Sequence, residues 1–504
     1  MRIKNKDVIY IAILSFVVLC VGVYLISTTV LIAKDGVTFI EYAQNLESTP
    51  VKTIRDGYQH PGYPLLILTA HRIAEIVCAN SSLWSWIYSA QFVALIFRLL
   101  AVVALYFIGK EITGAQFSFL AVLILIFLPG PAKLGSDALS DWPHIFFLTT
   151  GLLLLIRGAM DGKWWLFGFA GLAGGMGYLI RPECAQVIVY GVLWLGLQVF
   201  WSQRTMSRAK AVFALALLLV GFLVMAGPYM KLKGAIFPKK QLVQFVPKTQ
   251  SSEVYEQEIQ IYSNGVYAAG FAPSALAGAL GKLVQRVSET LMWFFIPALL
   301  IGMYNYFRKR DWLEPERVFI IALVALNVLI MVWLYCKFGY MSRRHTLPLV
   351  VFTIFYIPSG LQTLGFWIED KFSRETQRTP ATKGNKQFWF LLLLIIGISI
   401  CIPKLLTPIR AKKQSYRDAA QWLAKNTGEN DIIAASDGRI GFYADRKCVE
   451  YDGQTIPRQA EYIVKVVKRR KDMLSGVDGL EMEKVIEGKS KVVIYRLRRR
   501  GGDV

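Results

Sequence analysis

Three sets of charged residues abut apolar runs, and ionisable groups at a lipid boundary are costly enough that they usually serve a function. The first lies in Ala33-Lys34-Asp35-Gly36-Val37-Thr38-Phe39-Ile40-Glu41-Tyr42-Ala43. Read as a helix, it places Asp35, Phe39 and Tyr42 on one face at i, i+4 and i+7. A carboxylate beside two rings at the membrane boundary is a reasonable base for a hydroxyl. Its plainer role is to cap the helix, a position aspartate favours, and the two roles are compatible. The loop closes on Tyr58-Gln59-His60-Pro61-Gly62-Tyr63-Pro64, where two prolines and a glycine preclude a regular helix and fix a turn. His60 and Tyr63 are candidates for substrate contact, and residues 65–77 are expected to lie along the interface as an amphipathic helix.

The second set follows Pro129-Gly130-Pro131: Lys133-Leu134-Gly135-Ser136-Asp137-Ala138-Leu139-Ser140-Asp141-Trp142-Pro143-His144. In a helix, Asp137, Asp141 and His144 share a face, and two acids four residues apart repel unless a cation lies between them. A divalent ion, an acceptor or a basic partner would each serve. An oxygen-rich metal site needs more ligands than this segment supplies, so the metal stays unknown and a divalent cation is no more than one candidate cofactor. The plainer reading is that Asp141 caps the next helix, with Pro143 in its first turn. The third set is Arg181, in Tyr178-Leu179-Ile180-Arg181-Pro182-Glu183, with Arg343 and Arg344, in Tyr340-Met341-Ser342-Arg343-Arg344-His345. Guanidinium is well shaped for phosphate, although pairing with the acids or with lipid headgroups explains these arginines equally. Arg98, deep in an apolar run, pairs internally or snorkels and is left outside the site. The six cysteines have no metal or disulfide spacing. Cys78 and Cys448 could pair if both faced an oxidising compartment.

Apolar segments must position these groups. Hydrophobic residues make up 54% of the 504, a share that suits lipid better than water. Spans of about twenty apolar residues are predicted at 8–30, 84–108, 115–130, 143–157, 164–180, 184–201, 211–230, 288–307, 317–335, 345–366 and 387–402. The first resembles a signal peptide, but no small-residue cleavage site follows and it is kept as a helix. The net charge of +22 is spread in clusters between the spans, which suits cytoplasmic loops and not nucleic acid. Alternate loops carry these clusters, placing the N-terminus in the cytoplasm of a multi-pass cell-membrane protein. Residues 31–83, 131–142, 231–287 and 336–344 then lie outside, with a tail that escapes the charge rule because long translocated domains do. The expected fold is a mainly α transmembrane bundle over 1–402 and a small extracytoplasmic α/β domain over 403–504. In the latter, a helix at 416–425 precedes strands at 431–435 and 491–496.

The order of these motifs against the spans resembles the GT-C superfamily of membrane glycosyltransferases, and within it the family 39 protein mannosyltransferase-like and aminoarabinose transferase-like branch. The features are an Asp just after the first span, the turn His60-Pro61-Gly62-Tyr63-Pro64, Ser136-Asp137-Ala138-Leu139-Ser140-Asp141 after the third span, and Leu179-Ile180-Arg181-Pro182-Glu183 after the fifth. The likeness covers residues 1–205 and, more loosely, 317–360 through Ser342-Arg343-Arg344-His345-Thr346-Leu347-Pro348. Gly441-Phe442-Tyr443-Ala444 in the tail is similar to the small outer domains of this branch. The resemblance implies that a polyprenyl-phosphate sugar donor gives its sugar, with inversion, to an extracytoplasmic lipid, glycan or protein acceptor. It makes Asp35 the base or the group that orients the acceptor, and Asp137 or Asp141 a second acid. Arg181 with Arg343 or Arg344 would take the departing phosphate on the opposite side of the sugar, and Tyr42, His60, Tyr63 and His345 would contact substrate. Asp35 is followed by Gly36 where protein mannosyltransferases resemble Asp-Glu, which weighs against a protein acceptor.

The competing reading is a transporter or flippase for a lipid-linked or anionic substrate. Transporters commonly carry paired repeats with helices broken at corresponding positions, and no such symmetry is evident here.

Overall fold

Within a bilayer each backbone polar group must be satisfied by its own segment, so the apolar runs of this chain fold as helices. The computed structural model describes residues 4–497 apart from 79–81, 201–205, 236–272, 309–313, 376–385, 452–455, 458 and 468–479. Among the described residues eight helices are long and apolar enough to span a bilayer. Three shorter apolar helices, Ala115–Phe127, Trp165–Ile180 and Ile296–Phe307, stand where the remaining predicted spans fall.

The first span, Asn5–Ser27, is pinned near its start by Asp7, which accepts from the Tyr106 hydroxyl at 2.6 Å and from Lys110 Nζ at 2.7 Å, both on the helix Leu83–Thr113. Trp165–Ile180 packs along Arg208–Lys233 with almost no side chain between the backbones: a Cβ on Gly175 would lie 2.7 Å from the Phe222 carbonyl oxygen. Lipid gives helices no hydrophobic drive to associate, so small residues that admit close van der Waals contact take over that role. The end of this helix, where Arg181 follows, is thereby held firmly.

Several predicted boundaries shift, each for a local reason. The segment 288–307 is not one helix: Pro273–Thr290 ends, and Ile296–Phe307 begins after a turn in which Met292 and Trp293 have φ of 56° and 61°. The Trp293 N–H closes that end on the Ser288 carbonyl at 2.7 Å, satisfying an orphan group of the last helical turn. The predicted span 345–366 is interrupted by a 3₁₀ turn, Ile354–Tyr356, between Leu347–Thr353 and Ile357–Glu375. The first outer segment is largely helical, as Lys34–Ser48, Pro50–Asp56 and Gly62–Cys78. Tyr63 and Pro64 thus stand in the first turn of a helix and not in a turn before it. Proline is tolerated there because its missing N–H would have had no partner. Most of the predicted outer loop 231–287 falls on residues outside the described ones.

The tail follows the last span, Lys386–Leu406, with the helix Gln414–Asn426 and a five-stranded sheet in the order β2-β1-β3-β5-β4. The strands are β1 Ile433–Ala435, β2 Cys448–Glu450, β3 Tyr462–Val467, β4 Leu480–Ile486 and β5 Lys491–Leu497. β1 is parallel to β2 and β3, while β5 runs antiparallel to β3 and β4. Val492, Val493 and Ile494 are wholly buried, which marks β5 as a strand covered on both faces. Between β1 and β2 the short helix Arg439–Ala444 touches the membrane domain at Ile32.

Candidate active site

Four stretches distant in sequence meet at the end of the bundle that carries the tail domain. Asp35 stands in the first turn of Lys34–Ser48, whose N-cap is Ala33, so Asp35 is not the cap. Phe39 and Tyr42 continue along its face but turn inward and are buried. Asp141 opens the helix Asp141–Asp161 one residue after its N-cap Ser140, a place where the helix dipole favours an anion. Arg181 is thrown out of the helix before it by Pro182: a residue preceding proline is pushed towards extended backbone, and Arg181 has φ −150° and ψ 133°. Arg344 lies in the turns between Pro315–Phe338 and Leu347–Thr353.

Arg344 is the hub. Its Nη1 is 2.5 Å from Asp35 Oδ2, and its Nη2 and Nε are 2.9 and 3.1 Å from Asp141 Oδ2. Arg181 adds Nη1 at 3.2 Å from Asp141 Oδ1, while its Nε donates to Ser140 Oγ at 3.1 Å. Burial opposes the charge of Arg344, but the two carboxylates outweigh that and hold its guanidinium above its ordinary range. The two acids differ in setting. The Asp141 side chain is 1% exposed, whereas that of Asp35 is 48% exposed and faces an open cavity of about 550 Å³ also lined by Lys34, Arg410, Lys412, Lys413 and Arg439.

Asp137 belongs to a different job. It is not on a helix with Asp141; it sits in the turns before that helix, and both its oxygens are engaged. Oδ1 accepts from the Ala33 and Ala138 N–H groups at 3.0 and 2.9 Å, and Oδ2 from Arg410 Nη1 at 2.6 Å. Asp137 therefore fixes the residue at which the helix begins, by accepting the N–H of its N-cap Ala33. The contact is tight, since a Cβ on Gly36 would lie 2.7 Å from the Ala138 carbonyl oxygen. Only glycine fits after Asp35 here.

Arg343 is apart from the acids. Its side chain is largely exposed and its Nε is 3.8 Å from Glu289, which Arg286 also engages at 2.9 Å. Neither Glu289 nor Arg286 was anticipated, because both fall in a segment expected to be the end of a loop and the start of a span. Tyr63 donates to the Ala90 carbonyl at 2.9 Å and meets Phe39 edge-on at 5.0 Å, wholly inside the protein. It supports the Asp35 helix from beneath and is not open to substrate. Burial pushes the Tyr42 hydroxyl up to about 12. The pKa of His345, beside Arg344, is lowered by burial and by the nearby arginines, against an opposing pull from Glu183 and Asp141. Arg98 is internal as expected, donating to the Ile126 carbonyl at 3.0 Å beside the Trp142 ring.

His60 is buried between Tyr178 and Tyr229, with ring centroids at 5.3 and 5.1 Å. Burial lowers its pKa to about 4, against a weaker opposing pull from Glu183. A histidine that stays neutral when folded but charges when unfolded contributes stability above about pH 6.5, lost as pH falls through the folded value. Stability is thus expected to drop by up to about 3 kcal/mol between pH 6.5 and pH 4 through this residue. Thermal unfolding of the protein and of His60→Gln over that range checks this. The difference between the two should shrink with acid if the assignment holds, and a constant difference counts against it.

The two site acids are bridged by one guanidinium, that of Arg344, so the group between them is a cation already supplied by the chain. Among the described residues no three of His, Cys, Asp or Glu converge as metal ligands. This donor set, as it is arranged, does not fit a metal.

The architecture is the GT-C fold, in a multi-pass membrane protein. A family model described as dolichyl-phosphate-mannose-protein mannosyltransferase matches residues 64–227. ArnT from Cupriavidus metallidurans, bound to undecaprenyl phosphate, is similar with a TM-score of 0.59 at 13% identity, covering 100% of both chains. The archaeal oligosaccharyltransferase AglB from Archaeoglobus fulgidus, in complex with an inhibitory peptide and a dolichol-phosphate, gives 0.56 at 12% identity, over 92% of this chain and 69% of that one. The Archaeoglobus fulgidus oligosaccharyltransferase solved with zinc and sulfate gives 0.53 at 13% identity, over 90% and 67%. No curated protein matches the sequence.

Proposed function

We propose that the chain transfers a sugar from a polyprenyl-phosphate donor to a hydroxyl of an acceptor outside the membrane, with inversion at the anomeric carbon. The observation that carries this reading is the convergence of an open carboxylate, Asp35, and a buried one, Asp141, on Arg344, with Arg181 alongside. The similar proteins solved with undecaprenyl phosphate and dolichol-phosphate support the donor class. The acceptor is a lipid, a glycan or a protein.

In this reaction the acceptor oxygen bonds to the anomeric carbon as the bond from that carbon to the phosphate oxygen breaks. The polyprenyl phosphate leaves with the electron pair, and Asp35 takes the hydroxyl proton. Charge grows on the phosphate in the transition state, so fixed guanidinium groups aimed at it lower the barrier. Arg344 and Arg181 suit that task, with Asp141 fixing their positions. Asp137 drops out as a second catalytic acid because its oxygens hold the backbone at Ala33 and the side chain of Arg410. The expected arrangement with acids on one side and arginines on the other gives way to an interleaved one, in which Arg344 and Arg181 pair with the carboxylates. In the loaded site the phosphate competes for Arg344, which releases Asp35 to act as base.

The test is transfer by the purified protein in liposomes carrying undecaprenyl-phosphate mannose or aminoarabinose, read as release of undecaprenyl phosphate and as anomeric configuration of the product. Release with inverted configuration is expected. No release above protein-free liposomes from either donor sinks the donor class, and retained configuration sinks the single-displacement mechanism.

A further inference from the structure

We propose that the C-terminal domain sets the position of Asp35 by clamping the backbone of residues 29–33, with Tyr443 and Arg439 as the positioning residues. The proposal rests on Asp35 being the base of the reaction above.

Six residues without regular structure, 28–33, join the first span to the helix that begins at Lys34, and their backbone groups need partners from elsewhere. The tail supplies most of them. Arg417 Nη1 donates to the Thr29 and Val30 carbonyls at 2.9 and 3.2 Å, and the Val30 N–H donates to the Ile409 carbonyl at 3.1 Å. Arg410 Nη1 reaches the Leu31 carbonyl at 3.1 Å. Tyr443 Oη accepts from the Ile32 N–H at 3.0 Å, and Arg439 Nη1 donates to the Ile32 carbonyl at 3.2 Å. Asp137 completes the series at the Ala33 N–H. Ile32, three residues before Asp35, is thus gripped on both its donor and its acceptor by one short helix of the tail domain.

The grip is itself immobilised. Arg439 is locked by Asp437 through Nε at 2.8 Å and Nη2 at 2.6 Å, a two-point pairing that fixes the plane of the guanidinium. Both residues are buried. Burial alone would raise the Asp437 carboxyl, but Arg439 and Lys413 bring it down to about 2, so the lock persists through ordinary pH. Tyr443 is held edge-on against Trp84 at 5.6 Å, and Arg417 lies 4.8 Å over the same ring. At the joint, Arg410 takes a left-handed φ of 56°, a conformation costly for a residue with a side chain. From there its Nη1 reaches both the Leu31 carbonyl and Asp137. Simple docking of a domain on a membrane bundle would not require contacts concentrated on the one link that precedes the base.

The experiment uses the full chain in lipid nanodiscs with Tyr443→Phe, which keeps the ring and removes the oxygen that accepts from Ile32, and Arg439→Lys, which keeps the charge and loses the fork. Hydrogen exchange of the amides at 31–36 is expected to rise about tenfold. kcat for sugar transfer should fall about tenfold or more, as misplacement of a reacting group does, with KM for the donor and affinity for undecaprenyl phosphate unchanged. Unchanged exchange in Tyr443→Phe overturns the clamp, as does faster exchange with kcat at the wild-type level. If Arg439→Lys does not fold, Tyr443→Phe decides alone. If the wild type transfers no sugar, the site reading fails, while the exchange measurement still decides whether the tail domain orders this link.

Discussion

Asp35→Asn is expected to reduce sugar transfer about a thousandfold, the middle of the range for losing a general base. The exchange is isosteric and leaves Arg344 its contacts with Asp141. Asp35 is also the half-exposed member of the cluster, and an ion pair open to solvent adds only about 0–1 kcal/mol to stability. Folding and donor affinity should therefore stay close to wild type, so that the loss falls on kcat. Parallel measurement of transfer, thermal midpoint and undecaprenyl phosphate binding separates these effects. Activity within a few-fold of wild type would remove Asp35 from the role of base.

Asp141→Asn should behave in the opposite way, with stability as the first casualty. Its carboxylate is buried and meets both Arg181 and Arg344. Neutralising it leaves two guanidinium groups with one exposed acid between them, and breaking a buried pair from one side costs about 3–5 kcal/mol. The amide oxygen can still accept a hydrogen bond, which puts the expected loss near the lower end. Thermal unfolding in the same lipid should show a clearly lower midpoint for Asp141→Asn than for Asp35→Asn. Equal midpoints would mean that the buried acid is not what organises the arginines. Donor affinity should fall as well, since Arg181 and Arg344 lose their common anchor.

Much of the membrane domain is legible in the sequence because lipid makes a severe demand: an apolar run of sufficient length has few folds open to it. Hence every predicted span has a helix at its position. The breaks inside those runs are less legible, as at Met292 and Trp293, because a left-handed closure there depends on what packs around the turn. The site divides along the same line. Asp35, Asp141, Arg181 and Arg344 stand out as charges where charge is expensive, and the structure brings these four together. Tyr63 and Asp137 stand in equally suggestive motifs but face inward, and which way a residue points is a tertiary matter. Arg439 and Asp437, and the contact Tyr443 makes beyond its place in the Gly441–Ala444 motif, are not legible because charged and aromatic residues in a soluble domain are ordinary. The signal that remained was their crowding into nine residues of the tail, Asp437 to Asp445, where two acids, a buried arginine and two aromatic rings occur together.

The seat of Gly36 against Ala138 bears on how such an enzyme could be converted to a different acceptor. Protein mannosyltransferase-like chains resemble Asp-Glu where this one has Asp35-Gly36. The obstacle to a side chain at 36 includes the carbonyl oxygen of Ala138, an atom that no substitution at 138 deletes. A Gly36→Glu change therefore cannot be rescued by trimming its neighbour. In this chain a second acid at position 36 can enter only if the main chain at Ala138 moves, so an engineer or a lineage adding one must alter the turn that carries Asp137 first.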